Sequence, residues 1–98
     1  MIEGIDFTRP ARKDIRVAFE WYESQQSGLG ERLLNEIRDA LNHCASSQEA
    51  HPLEFGWFRK LRIGIFPYRI YYSLHGSRLV VHAVFHSSRN PQTLQNRL

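Results

Sequence analysis

The second half of the sequence holds arginines and histidines in a pattern that suits chemistry on a phosphate group. Cleavage of RNA needs a base for the 2′-hydroxyl, an acid for the leaving oxygen and cations for the pentacoordinate phosphate. Arginine contacts phosphate through parallel hydrogen bonds, and histidine exchanges protons near neutral pH. If the chain cleaves RNA, the candidate catalytic residues are Arg62, Arg69, His82, His86 and Arg89.

The same region equally suits a surface that binds an anionic partner without chemistry. Residues 50–98 carry seven Lys or Arg against one Asp or Glu, a net charge of +6, whereas residues 1–49 carry six against nine, a net charge of −3. A one-sided basic region favours nucleic acid or an acidic protein surface as its partner. On this hypothesis the target-binding residues are Lys60, Arg62, Arg69, Tyr71 and Arg89.

Two helices precede the basic region. Thr8 and Pro10 are typical of a helix start, and apolar residues at positions 15, 18, 19 and 22 predict an amphipathic helix that ends near Gln26. Gly28 and Gly30 mark a tight turn, after which a stronger apolar stripe over residues 33–44 predicts a second helix. We therefore expect an antiparallel helix hairpin, preceded by a short strand in residues 2–7.

Beyond Gly56 the apolar period changes from 3.6 to 2, which predicts strands. Gly76-Ser77 is typical of a two-residue hairpin turn, and such a turn sets the register of the strands beside it. On the core face under the helices, the predicted pairs are Ile70 with Ala83, Tyr72 with Val81 and Leu74 with Leu79. On the opposite, open face, they are Arg69 with Val84, Tyr71 with His82 and Ser73 with Val80.

These elements predict a two-layer α+β domain over residues 1–98, with both helices on one side of a mainly antiparallel sheet. Lys60 and Arg62 alternate onto the open face, and Arg89 follows the last strand. His82 and His86 are expected on one face of that strand, about 13 Å apart, which is too far to share a metal ion.

The composition argues against several classes of protein. The chain has 98 residues, of which 42% are apolar and 23% charged, as in globular domains. Its longest apolar runs fall far short of the ~20 residues of a membrane-spanning helix. Cys44 is the only cysteine, so neither an internal disulfide nor a cysteine-based zinc site can form. The N-terminus lacks the basic start and apolar run of a secretory signal, so we expect a reducing cytoplasm.

Four segments, in this order and spacing, resemble the RelE/ParE superfamily of toxins from type II toxin–antitoxin modules. They are Ala18–Glu23, Gly28–Arg32, Phe66–Tyr72 and Ala83–Pro91. The Phe-Pro-Tyr strand and the His-x-x-Arg-x-Pro ending are more similar to the ParE branch than to the RelE branch. The resemblance covers nearly the whole chain and implies the RelE/ParE-like fold.

The resemblance implies a plasmid-stabilisation toxin that binds an essential target, DNA gyrase, and is neutralised by a cognate antitoxin. It implies no cofactor or metal, and a homodimer or a toxin–antitoxin hetero-oligomer. The RelE branch implies instead a ribosome-dependent mRNA endoribonuclease. Leu94 and Gln95 stand where RelE-like members often carry an aromatic residue. A third alternative is an inactive member whose basic face binds only its antitoxin.

Overall fold

The computed structural model describes residues 2–46, 53–55 and 58–97. The strands are β1 (Gly4–Phe7), β2 (Leu53–Phe55), β3 (Phe58–Arg62), β4 (Tyr68–His75) and β5 (Arg78–His86). The helices are α1 (Arg9–Gln25), α2 (Leu29–Ser46) and a C-terminal 3-10 helix (Pro91–Arg97). The predicted first strand, the helix hairpin and the strands beyond Gly56 are thus confirmed, whereas β2 lies before Gly56, where no strand was predicted. The polar C-terminal segment forms the 3-10 helix.

The strands form one sheet in the order β1-β5-β4-β3-β2. β1 pairs with β5 in parallel, and the other neighbours are antiparallel. Both helices pack on one face of this sheet. The predicted α+β class with a helix hairpin on a mainly antiparallel sheet is confirmed.

Local capping explains where the helices begin and end. The Thr8 side chain accepts a hydrogen bond from the Ala11 amide at 3.2 Å and caps the start of α1. The Glu23 carboxylate near the end of α1 accepts the amides of Gly28 and Gly30, both at 2.9 Å, and so holds the start of α2. These hydrogen bonds, above all that from Gly28, lower the pKa of Glu23. Gly28 has φ +90°, a conformation that favours glycine in this turn.

The main core lies between the helix hairpin and the sheet. The stripes predicted from the sequence supply its helix side, with Ala18, Leu33, Ile37 and Leu41 all at most 4% exposed. The sheet side is completed by Leu61, Ile63, Ile70, Tyr72, Leu79, Val81 and Val84.

A bulge in β5 changes the predicted strand register. The pairs nearest the turn, Tyr72 with Val81, Ser73 with Val80 and Leu74 with Leu79, are confirmed. Between Tyr71 and Tyr72 the register shifts by one residue. The observed pairs beyond the shift are Tyr71 with Ala83, Ile70 with Val84 and Arg69 with Phe85. The predicted pairs Ile70–Ala83, Tyr71–His82 and Arg69–Val84 are therefore wrong. A bulge inserts one extra residue into β5, so each residue of β5 beyond it lies on the face opposite to the one predicted.

The face opposite the helices carries a second, smaller core. It consists of Phe58, Tyr71, Ala83, Phe85 and Leu94. Leu94 belongs to the C-terminal 3-10 helix and is 0% exposed, so this helix covers part of the face that was expected to be open. Tyr71 is only 2% exposed. The expectation that Tyr71 presents its ring to a target is wrong, because the tail packs over it.

Candidate functional site

Three strands bring two arginines and a phenylalanine into one row across the sheet. Arg62 of β3 lies directly opposite Arg69 of β4, and Arg69 lies opposite Phe85 of β5. The Arg89 guanidinium then lies over the Phe85 ring, 4.0 Å from its centroid, in a cation–π contact. We call Arg62, Arg69 and Arg89 with the Phe85 ring the arginine row. The sequence predicted its three cations, and the fold places Arg62 opposite Arg69 and Arg89 over the neighbouring Phe85 ring.

The charge of this row is not balanced by its own strands. Like charges directly opposite each other on antiparallel strands are destabilising, and Arg62 and Arg69 are such a pair. Residues 55–98 contain no Asp or Glu. Lys60 lies two residues before Arg62, on the same face and opposite Tyr71. This arrangement suits an anionic ligand, because a bound carboxylate or phosphate would relieve the repulsion.

His82 also lies on this face, but its imidazole is held within the protein. Its Nε2 is 2.7 Å from the Ser73 hydroxyl, whose oxygen is also 2.8 Å from Nε2 of His75. The Phe58 ring packs edge-on against the imidazole, with centroids 4.7 Å apart. Burial, and secondarily the nearby His75, lowers the pKa of His82. His82 is therefore neutral at pH 7.

His86 lies on the other face of the sheet. It pairs with Tyr68, and the two rings are 5.3 Å apart. Its Nδ1 is 2.8 Å from the Ser88 hydroxyl and accepts the Ser88 amide at 3.1 Å. The expectation that His82 and His86 share one face is wrong, because the bulge lies between them. The structure therefore does not bring the two candidate proton-transfer groups together.

The sequence did not predict an ion pair that lies along the edge of β5 and contacts the backbone there. Arg97 donates to both oxygens of Asp14, at 2.7 and 2.8 Å, and to the His82 carbonyl at 2.9 Å. Asp14 also accepts the Val84 amide at 3.0 Å. The one available signal was that Asp14 stands at helical spacing between Ala11 and Ala18, on the apolar side of α1.

Within residues 2–46, 53–55 and 58–97, no group of three or more His, Cys, Asp or Glu side chains is placed to hold a metal ion. In the same part of the chain, no helix combines the length and apolar character needed to cross a bilayer.

Several solved structures share this fold. A chain of the chromosomal ParDE toxin–antitoxin system from P. aeruginosa superposes with a TM-score of 0.73 at 15% identity, covering 87% of this chain and 96% of that one. YafQ from E. coli strain BL21(DE3) gives a TM-score of 0.62 at 13% identity, covering 90% and 96%. A chain of the YoeB-YefM complex from Staphylococcus aureus gives 0.58 at 14% identity, covering 86% and 94%.

Comparison with curated proteins by sequence returned no match. A family model does match: that of the ParE toxin of the type II toxin–antitoxin system, parDE, covers residues 5–91. These residues include α1, α2, β2 to β5, all of β1 except Gly4, and Arg62, Arg69 and Arg89. The chain belongs to the ParE toxin family of type II toxin–antitoxin systems.

Proposed function

We propose that this chain arrests bacterial growth by binding DNA gyrase through the arginine row and Lys60, and that a cognate antitoxin neutralises it. Family membership supports the toxin role. The feature that supports the binding surface is the Arg62–Arg69 pair, two like charges held opposite each other on a sheet face. Such a pair costs stability, which argues for a role in binding rather than in folding.

The arrangement of the histidines favours binding over RNA cleavage. Acid–base cleavage needs two groups that act on the same phosphate, each within hydrogen-bond reach of its oxygen. His82 is bonded to Ser73 on one face, and His86 contacts Tyr68 on the other. The positions of the two histidines therefore count against cleavage. The ribosome-dependent endoribonuclease is the alternative that the experiment below tests.

An antitoxin partner is supported by the structural neighbours. One neighbour belongs to a ParDE toxin–antitoxin system, and others were solved as the YoeB-YefM and DinJ-YafQ complexes. The proposal extends such a partnership to this chain.

The test is induction of the chain in a bacterial host, followed for growth, mRNA integrity and plasmid supercoiling. We expect arrest with intact mRNA and lost supercoiling. The double variant Arg69→Ala/Arg89→Ala should restore growth, whereas Arg32→Ala, at an exposed arginine on α2, should arrest growth like the parent chain. In vitro, the purified parent chain should inhibit gyrase and the double variant should not.

Two outcomes would contradict the proposal. Cut transcripts after induction would establish the nuclease alternative. Full toxicity of the double variant, at a protein level equal to that of the parent chain, would show that Arg69 and Arg89 are not needed for toxicity.

A further inference from the structure

A groove between α1 and the C-terminal part of β5 carries positive charge that the described part of the chain leaves unbalanced. Its cavity volume is about 640 Å³, which is within the range of ligand sites. Arg9, Lys13 and Arg89 line it, and all three side chains are exposed. None of the three forms an ion pair with another residue that the structure describes. The groove therefore suits an anionic ligand.

Asp14, the one acid among the described residues that line the groove, does not oppose such a ligand. Both of its oxygens accept hydrogen bonds from Arg97, at 2.7 and 2.8 Å, and one of them also accepts the Val84 amide. The Asp14 side chain is only 10% exposed. Because Arg97 offsets the charge of Asp14, the three exposed cations determine the charge of the groove.

Aromatic rings line the same groove beside the cations. Tyr68 and His86 are paired on neighbouring strands with their ring centroids 5.3 Å apart, and both line the cavity. The His86 side chain is exposed and that of Tyr68 is half-buried. Tyr22 packs edge-on against Tyr68 and also against Trp21, whose side chain is 56% exposed. Cations beside aromatic rings are typical of sites that bind single-stranded nucleic acid, in which phosphates contact the cations and bases stack on the rings.

The rings favour a nucleic acid over an acidic protein segment as the occupant. Every base has a π-face, so stacking on His86 and Tyr68 adds to the phosphate contacts, whereas Asp and Glu side chains carry no ring. Val17, Ala18 and Val84 also line the groove and offer apolar contacts to a base or a sugar. A base that stacks on these rings must be unpaired, so we expect a single strand rather than a duplex.

The cations lie on both sides of the groove. Arg9 and Lys13 are one turn apart on α1, about 6 Å along its axis, which is close enough for contact with neighbouring phosphates. Arg89 follows β5 on the other side, and its guanidinium also lies over Phe85 in the arginine row. The groove therefore begins where the arginine row ends. A strand in the groove would leave the rest of the row open to a protein.

We propose that this groove binds a single-stranded segment of DNA, with phosphates against Arg9, Lys13 and Arg89 and bases against His86 and Tyr68. The choice of DNA over RNA rests on the proposed function, because gyrase acts on DNA. The chain then contacts the enzyme through the arginine row and the DNA that the enzyme holds through the groove.

The test measures binding of the full-length chain to a fluorescein-labelled oligothymidylate of about 12 nucleotides, by fluorescence anisotropy over a range of salt concentrations. Each phosphate contact contributes about −0.7 to the slope of log K against log salt for a single strand, so the three contacts contribute roughly −2. Arg9→Gln and Lys13→Gln should each lose about 0.7 of the slope and weaken binding at low salt at least threefold. The controls Arg12→Gln and Arg32→Gln, at exposed arginines outside the groove, should keep the slope and the affinity of the parent chain.

Variants of the two rings separate stacking from charge. At about pH 8, His86→Ala and Tyr68→Leu should each weaken binding at least fivefold at every salt concentration and leave the slope unchanged, because they remove stacking and no phosphate contact. Circular dichroism establishes that each variant is folded.

Three results would overturn the inference. They are no binding by the parent chain, parent-like slope and affinity in both Arg9→Gln and Lys13→Gln, and displacement of the oligothymidylate by polyglutamate at an equal concentration of charge. The last result would assign the groove to an acidic protein. Oligouridylate that binds at least tenfold more tightly than oligothymidylate would overturn the choice of DNA.

Gyrase inhibition is measured separately on the same preparations, so that the two proposals fail independently. DNA binding that depends on Lys13, without gyrase inhibition, would refute the proposed function and leave the nucleic-acid site standing. Gyrase inhibition without DNA binding would refute the site and leave the proposed function standing.

Discussion

Asp14 and Asp6 each pair with an arginine, yet the two ion pairs differ in what they contribute to stability. The Asp14–Arg97 pair is mostly buried, and Asp14 also satisfies a backbone amide of β5. The Asp6–Arg78 pair joins β1 to β5 with both side chains about half exposed. A buried charge that loses its partner is costly, whereas an exposed pair contributes little because water screens it.

We expect Asp14→Ala to lower the free energy of unfolding by about 2–4 kcal/mol, because it leaves Arg97 unpaired and the Val84 amide unsatisfied. Asp6→Ala, which removes the exposed pair, is the matched control and should cost far less. Urea denaturation monitored by tryptophan fluorescence measures both. Equal losses in the two variants would contradict this account of the Asp14 pair.

The arginine row predicts that stability and binding respond in opposite directions. Arg69→Gln removes one of two like charges that lie opposite each other, so the free energy of unfolding should stay the same or rise by roughly 0.2–1 kcal/mol. Gyrase inhibition and toxicity should fall. Denaturant midpoints and a supercoiling assay on the same preparation provide the measurement. A variant that loses both stability and activity would indicate a structural role for Arg69.

At the scale of elements, the β5 bulge decides which side chains reach which face. It places His82 among Ser73, His75 and Phe58 and turns His86 to the opposite face. Burial of the His82 imidazole, and secondarily the nearby His75, disfavours its protonated form.

The lowered pKa of His82 predicts loss of stability in mild acid. Well above its ordinary pKa of about 6.5, the imidazole is neutral in both folded and unfolded chains, and the full stability is present. As the pH falls below that value, the unfolded chain takes up a proton that the folded chain resists, so stability declines toward the lower folded-state pKa. Urea midpoints at pH 7.5 and 5.5 should show this decline.

The variant His82→Gln should decline less over the same interval than the parent chain. His43→Gln, at an exposed histidine of α2 in the other layer, should decline as the parent does. A parent-like slope for His82→Gln would assign the pH dependence to other groups.

The helix hairpin depends on close approach at one glycine. A Cβ at Gly30 would lie 2.7 Å from the Phe19 carbonyl oxygen and 2.8 Å from its ring, so α1 and α2 would have to separate. Gly30→Ala should cost about 1–3 kcal/mol. At Gly64 the nearest group is the flexible end of Glu36, so Gly64→Ala should cost under about 1 kcal/mol. Thermal unfolding of the two variants gives the comparison.

At the scale of the whole molecule, the C-terminal 3-10 helix contacts both the sheet and the helix layer. Leu94 fills the second core, while Arg97 reaches Asp14 of α1 and lies 4.8 Å from the Phe85 centroid. The C-terminal 3-10 helix therefore stabilises the fold and also forms part of the surface around the arginine row.

Leu94→Ala should lower the free energy of unfolding by about 2–4 kcal/mol, because it leaves a cavity beside Tyr71 and Phe85. Leu74→Ala, at a side chain that is 43% exposed, should cost less than about 1 kcal/mol. Urea denaturation measures both losses. If the two variants were equally stable, the second core would contribute nothing to the fold.

The helix hairpin, the strands beyond Gly56, the α+β class and the three cations of the arginine row could be predicted from the sequence. These follow from local signals: the apolar period, the cap at Thr8, the glycine turns and the charge of the second half. The bulge at His82, the burial of Tyr71 and the Asp14–Arg97 pair arise instead from contacts made in the folded chain. The residues on either side of the bulge keep an alternating pattern, so no local signal marks its position. The burial of Tyr71 and the Asp14–Arg97 pair depend on contacts between the C-terminal 3-10 helix and residues far away along the chain. Side-chain direction beyond the bulge was therefore the part that periodicity could not predict.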